Sequence, residues 1–198
     1  MLNGRLRRIK LDVSLFSVVP GDDLEQLHPA VAKFHGTGPG ARAEGLFRIT
    51  RGNGPFSYAM GWIMRLPQPA VAVPVTLQIT ACPRGEHWNR NFGTQSFQSQ
   101  MWEEGGTLIE AVGCVHFAFQ LREEAGALLF RTIGCKVMGL SMPYCIWPRI
   151  HVCASPSNTV PESYDVFSIL VTLSLPLLGL IVKYEGELKR TSECCGSC

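Results

Sequence analysis

The stretch Val71-Ala72-Val73-Pro74-Val75-Thr76-Leu77-Gln78-Ile79-Thr80 sets a large aliphatic side chain at every second position, with small or polar residues between. Period-two alternation marks a half-buried β-strand, because successive side chains leave opposite faces of the pleat. The pattern repeats outward from here. Pro83-Arg84-Gly85 turns the chain, after which Trp88, Arg90 and Phe92 share a face; Gly93-Thr94 turns it again, and Phe97, Ser99 and Met101 share the next. Beyond Gly105-Gly106, Val115, Phe117, Phe119 and Leu121 alternate with His116, Ala118 and Gln120, and Glu123–Gly126 turns into Leu128–Ile133. Strands follow over Ile150–Ala154, Tyr164–Leu175 and Leu180–Lys189, and Glu44–Arg51 precedes the first. The chain reads as mainly β, with about nine or ten strands at hairpin spacing. No helix separates them to permit parallel crossovers, so the sheet is antiparallel. A sheet of that width with one apolar face must cover it, by closing into a barrel or by folding over a helix, and either way it is expected closed or cupped into a barrel-like cavity lined from many strands.

Helical signal is confined to the first third, as one or two short helices. Asp22 or Asp23 is placed to cap a helix through Leu24, Leu27, Val31 and Phe34, shortened or kinked at Pro29 and ended by Gly36, Gly38 and Gly40. A second runs over Pro55–Leu66 and stops at Pro67.

The 198 residues are 46% hydrophobic and 17% charged, which suits a single domain with a real core and excludes a disordered chain. A net charge of +2 without an extended basic patch leaves no footprint of a nucleic-acid binder. Residues 1–21 read as an N-terminal extension, 22–190 as one β-rich domain and 191–198 as a flexible Cys-rich tail. The extension is basic and then apolar, but Asp12 interrupts it and no small-x-small cleavage site follows, so it is not read as a signal peptide. Val166–Val182 carries no charge, yet Pro176 and Gly179 break it, and two strands joined at Pro176-Leu-Leu-Gly179 explain it better than an integral membrane span. A cytoplasmic protein is expected. Cys82, Cys114, Cys135, Cys145 and Cys153 are isolated and mostly have apolar neighbours, so they are expected reduced, with at least three buried. Cys194, Cys195 and Cys198 lack a second ligand pair, and the five histidines show no metal-binding spacing, so no metal is expected.

Five fragments carry a family resemblance. They are Leu27-His-Pro-Ala-Val-Ala-Lys-Phe-His-Gly36, Trp88-Asn-Arg-Asn-Phe-Gly93 with Phe97-Gln-Ser99, Phe117-Ala-Phe119, Gly139-Leu-Ser-Met-Pro143, and Leu175-Pro-Leu-Leu-Gly-Leu-Ile-Val-Lys-Tyr-Glu-Gly-Glu-Leu188. In order and spacing the chain resembles, from about Leu24 to Leu188, the bacterial family of domain of unknown function 4166. The Cys-rich tail and Met142 depart from the pattern. Relatives of that family occur alone or fused behind saccharopine-dehydrogenase-like NAD-binding domains. This sequence holds no Gly-x-Gly-x-x-Gly, so no dinucleotide site is carried over and no cofactor is expected. The resemblance implies no established reaction.

Among the side chains, Arg90 stands out. If the face it shares with Trp88 and Phe92 is internal, its guanidinium needs a carboxylate, several carbonyls or an anionic ligand group. The hairpin at Gly93-Thr94 brings Ser99 alongside Trp88 or Arg90. Tyr184 shares a face with Val182 and Leu188, and its hydroxyl needs a partner inside. His35 closes the first helix as a loop residue, placed either to cap the helix or to act as a general base at a barrel mouth. Trp88, Arg90, Ser99, Tyr184 and His35 are therefore the expected ligand-binding residues. The partner they imply is a small apolar molecule with one polar or anionic end, held in the barrel. The alternatives are an isomerase or cyclase acting on a polyketide- or terpenoid-like substrate in the same cavity, and a domain accessory to an oxidoreductase. An acid/base pair within reach inside the cavity would mark the enzyme.

Overall fold

The computed structural model describes residues 15–17, 26–63 and 66–191. Its strands are β1 (Arg42–Arg51), β2 (Ala70–Cys82), β3 (Gly85–Phe92), β4 (Gln95–Glu104), β5 (Thr107–Val112), β6 (Val115–Glu124), β7 (Ala127–Val137), β8 (Leu140–Ser141), β9 (Arg149–Pro156), β10 (Val166–Leu175) and β11 (Gly179–Arg190). Each pairs antiparallel with its neighbours. β1 to β7 run edge to edge in chain order; β9, β10 and β11 continue from β7, and β11 returns to β1. Ten strands thus close a barrel, and β8 is an extra pair of residues on β7. The expected antiparallel barrel is what forms, and the uncharged Val166–Val182 stretch is the β10–β11 hairpin.

Alternation does in three dimensions what it promises in the sequence. Along β1, Ala43, Phe47, Ile49 and Arg51 are buried, while Arg42, Glu44, Leu46, Arg48 and Thr50 are exposed. On β11, Gly186 stands opposite Phe47, and the Phe47 ring occupies the place a side chain would need: a Cβ there would lie 2.7 Å from the ring and 2.3 Å from the Leu46 carbonyl. β5 is the strand that alternation does not isolate. It is six residues long, with Leu108 and Val112 on one face and Ile109 and Ala111 on the other, so its period is illegible.

Antiparallel pairing puts alternate connections at opposite ends of the barrel. α1 (Pro29–Thr37) packs near the first, at the start of β10 and the end of β9, with Ala30, Val31, Phe34 and His35 buried. The helix begins later than the sequence suggests, a correction with a simple cause. Pro29 lacks an N–H and has a fixed φ, which disfavour a helix interior but suit the first helical position. His28 caps it, its Nδ1 accepting from the Ala30 N–H at 3.3 Å. The turn Leu15–Ser17 lies at the same end and sends Phe16 into the core. α2 (Pro55–Ile63) lies across the second end against β11, where the Ser57 hydroxyl donates to the Ile181 carbonyl at 2.9 Å. Buried Arg51 donates to the carbonyls of Leu66 and Pro67, which holds the chain after α2 over that end.

The cysteines need correction. Only Cys135 of the five is buried; Cys82 and Cys153 are half-buried, while Cys114 and Cys145 are exposed because each falls in a connection rather than on an inward strand position. All five are free thiols. The remainder of the expected N-terminal extension, the caps Asp22 and Asp23, and Cys194, Cys195 and Cys198 lie outside the described residues.

Candidate functional site

β3 turns Glu86, Trp88, Arg90 and Phe92 inward; β4 turns Phe97, Ser99 and Met101 inward, with Trp88 paired to Ser99 and Arg90 to Phe97. β5 adds Leu108, Glu110 and Val112, and β11 adds Val182, Tyr184 and Leu188. Between these walls lies a cavity of about 120 Å³. Aliphatic and aromatic side chains make most of it; His35, Arg90, Glu110 and Tyr184 are the ionisable groups on its wall.

Arg90 is held from several sides. Its Nη1 donates to Ser99 Oγ at 2.7 Å and its Nη2 to Glu110 Oε1 at 3.1 Å. Its guanidinium also lies 5.1 Å from the Trp88 ring centroid and 5.7 Å from that of Phe97, within cation–π range. The carboxylate that a buried arginine demands is therefore Glu110, on the strand the alternation failed to isolate. Arg90 and Glu110 keep 14% and 12% of their side-chain surface, and both line the cavity, so the pair borders the empty space rather than being packed shut. Ser99 is buried behind Arg90: it positions the guanidinium and forms no part of the cavity wall.

Tyr184 lines the same space, packed on Phe92 at 5.3 Å and Phe47 at 6.2 Å between ring centroids. Burial pushes its phenol up to about 12; the Arg90 charge lowers it and the Glu110 charge raises it. Tyr184 is a hydrogen-bonding group at neutral pH and not an acid.

His35 corrects the loop reading. It sits in the second turn of α1, buried, with Nδ1 3.0 Å from the Val31 carbonyl. Phe16, Phe34, Trp88, Phe130 and Phe167 surround it, with ring centroids 4.8 to 6.4 Å away. This desolvation brings its pKa down to about 4, against a smaller raising effect of the Val31 carbonyl. His35 is thus a neutral ring on the cavity floor, at the α1 end.

Glu86 is a functional neighbour that the sequence reading passed over. Its carboxylate is buried and accepts from Trp88 Nε1 at 2.9 Å and from the Leu15 N–H at 3.1 Å. Burial raises its pKa, and the bonds from Leu15 and Trp88 partly oppose that. It fixes the indole that forms part of the cavity and ties the Phe16 turn to the barrel floor. The signal was present: Glu86 continues the 88-90-92 face by one more step. Among the described residues, no three His, Cys, Asp or Glu side chains gather to hold a metal ion, and no helix is long and apolar enough to cross a membrane.

Residues 27–188 match the family model described as Domain of unknown function (DUF4166). No curated protein matches the chain. One similar solved structure is that of a secretary abundant heat soluble (SAHS) protein from Ramazzottius varieornatus, at 14% sequence identity and a TM-score of 0.35, covering 78% of this chain and 98% of that one.

Proposed function

We propose that this chain, which belongs to the DUF4166 family, is a binding barrel for a small, mostly apolar molecule that places one neutral polar end against Arg90 and Tyr184. The observation that carries this reading is the Arg90–Glu110 pair set beside open space in an otherwise apolar wall. A ligand site needs an apolar enclosure and a few convergent polar groups that orient its occupant. Glu110 already neutralises Arg90, so a carboxylate ligand would compete with a fixed carboxylate. A carbonyl or hydroxyl oxygen instead accepts from a guanidinium N–H, or from the Tyr184 phenol, without leaving either charge unpaired. Trp88 and His35 supply the flat apolar floor, and Ser99 holds Arg90 in place. The reading requires no cofactor, metal or nucleic acid.

Catalysis is the weaker reading. A general acid or base works best with a pKa near the working pH. The two perturbed groups on the cavity wall are displaced in opposite directions, His35 to about 4 and Tyr184 to about 12. Glu110, the remaining candidate base, is engaged by Arg90.

Thermal-shift measurements with a panel of apolar ketones, alcohols, carboxylic acids and hydrocarbons of matched length test the proposal, since a ligand bound only by the folded state raises Tm. Ketones or alcohols are expected to raise Tm more than the matched acids and hydrocarbons. Ile169→Phe, which adds bulk on the cavity wall, is expected to abolish the shift while keeping a cooperative melt. If no compound shifts the wild type, or Ile169→Phe responds equally, the binding reading fails.

A further inference from the structure

The two ends of the barrel differ in chemistry. At the α1 end, the strand termini and connections carry charges of both signs, Glu103, Glu104, Glu123, Glu124, Glu162 and Asp165 beside Arg42, Arg84, Lys189 and Arg190, with Arg84 paired to Glu104 and Arg190 to Asp165. At the α2 end, the described connections at 52–63, 66–69, 93–94, 113–114, 138–139, 142–148 and 176–178 hold no charged residue at all. Lys136 and Arg149, exposed at the adjoining ends of β7 and β9, add positive charge.

The same end displays apolar bulk. Trp62 and Tyr58 on α2 are 81% and 57% exposed, and Leu177 at the tip of the β10–β11 hairpin is 98% exposed. Met138 and Leu140, 79% and 74% exposed, flank the β7–β8 turn, and Tyr144 follows in the connection to β9. Because β1, β11, β10, β9 and β7 are successive neighbours in the ring, these residues succeed one another around one side of the mouth.

Two of these residues sit where turn chemistry argues against them. Met138 and Gly139 both have positive φ, 52° and 83°, in the two-residue turn that joins Val137 to Leu140. Such a turn favours Asn-Gly or Asp-Gly. Leu177 likewise adopts φ 69°. A long apolar side chain in the left-handed region gains nothing from the turn, and at these exposures it gains nothing from packing. Strain retained without a folding benefit points to use of the side chain outside the fold.

We propose that the α2 end of the barrel docks on an anionic lipid bilayer, with the Met138 and Leu177 turns entering the acyl boundary. Trp62, Tyr58 and Tyr144 are the amphipathic aromatics that settle at headgroup depth. The Arg149 guanidinium, 5.1 Å from the Tyr144 ring centroid, and Lys136 meet the anionic headgroups, and no carboxylate in the connections opposes them.

Sedimentation of the full chain with vesicles tests this, using phosphatidylcholine alone and phosphatidylcholine with phosphatidylglycerol in equal parts, without added apolar ligand. The wild type is expected to co-sediment with the anionic vesicles and less with phosphatidylcholine alone. Its tryptophan emission is expected to shift blue, and Trp62→Phe to remove that shift. Met138→Asn with Leu177→Asn is expected to lower partitioning by about tenfold or more. Its Tm should equal or exceed that of the wild type, because Asn suits a positive φ. Three results would overturn the proposal: no wild-type partitioning, equal partitioning of the Asn variant or of the two vesicle types, or a solution dimer that the Asn variant dissociates. The readout needs no ligand, so docking and ligand binding can each fail alone.

Discussion

Arg90 and Glu110 form an ion pair whose members come from different strands and meet inside an apolar ring. Breaking such a pair from one side strands the other charge, at about 3–5 kcal/mol, whereas replacing both members with apolar side chains is often close to neutral. Arg90→Ala is therefore expected to lose stability on that scale in urea unfolding, and Arg90→Met with Glu110→Leu to recover most of it. A loss under about 1 kcal/mol for Arg90→Ala would mean that cavity water already solvates the pair. His35 gives a pH signature. Its folded pKa of about 4 lies below the unfolded value of 6.5, so the unfolded chain takes up a proton that the folded chain refuses. Stability is complete above pH 6.5, falls as the pH drops toward 4, and then levels, with a total loss on the order of 3 kcal/mol. Glu86, whose pKa is raised, works in the other sense: its contribution is present in acid and is lost as pH rises. Comparing urea midpoints of wild type and His35→Leu at neutral and acid pH isolates the histidine. The variant should lose less stability on acidification, and equal losses would exclude His35 as the source.

Among the strand pairs, the β7–β9 seam is the short one in the ring. Only Leu128 to Arg131 pair with β9, whereas β6 and β7 pair over ten positions. Above Arg131 a side chain continues the ladder: Thr132 Oγ1 donates to the Ile150 carbonyl at 3.0 Å and accepts from the Ile150 N–H at 2.9 Å. Met142 and Trp147, from the chain between β8 and β9, pack against the core beside this gap. Thr132→Val keeps the shape and removes both bonds, which should cost about 1–3 kcal/mol. Hydrogen exchange is the decisive measurement, since local opening reports local stability. Amides of β9 near Ile150 should exchange faster while those of the β10–β11 hairpin hold. A uniform acceleration would mean that the seam is no weaker than the rest. The short β5 strand shows why such details escape a linear reading: with apolar residues on both faces, its six residues conceal that Glu110 points inward.

The ring has a polarity: an end near α1 crowded with charges of both signs, and at α2 an apolar mouth whose described connections carry no carboxylate. Much of the ring was legible beforehand. Alternation on β2, β3, β4 and β6, with Gly- and Pro-marked turns between, dictates antiparallel strands with one apolar face, and that face must close on itself. It also set Trp88, Arg90 and Phe92 on one side and Ser99 on the facing strand. These are local properties, decided by the pleat within a few residues. What tertiary structure alone decided is which distant segments became neighbours. Glu110 reaches Arg90 only across two successive strand pairings, and Phe16 reaches His35 only because its turn folds beneath the barrel. His35 became a neutral floor residue because five aromatic rings, four of them from segments outside α1, converge on it. The sequence by itself determined the strands and their faces, because side-chain alternation is written into each backbone. Closure decided the cavity, its ion pair and the contrast between its ends, because those depend on register between strands far apart in the chain.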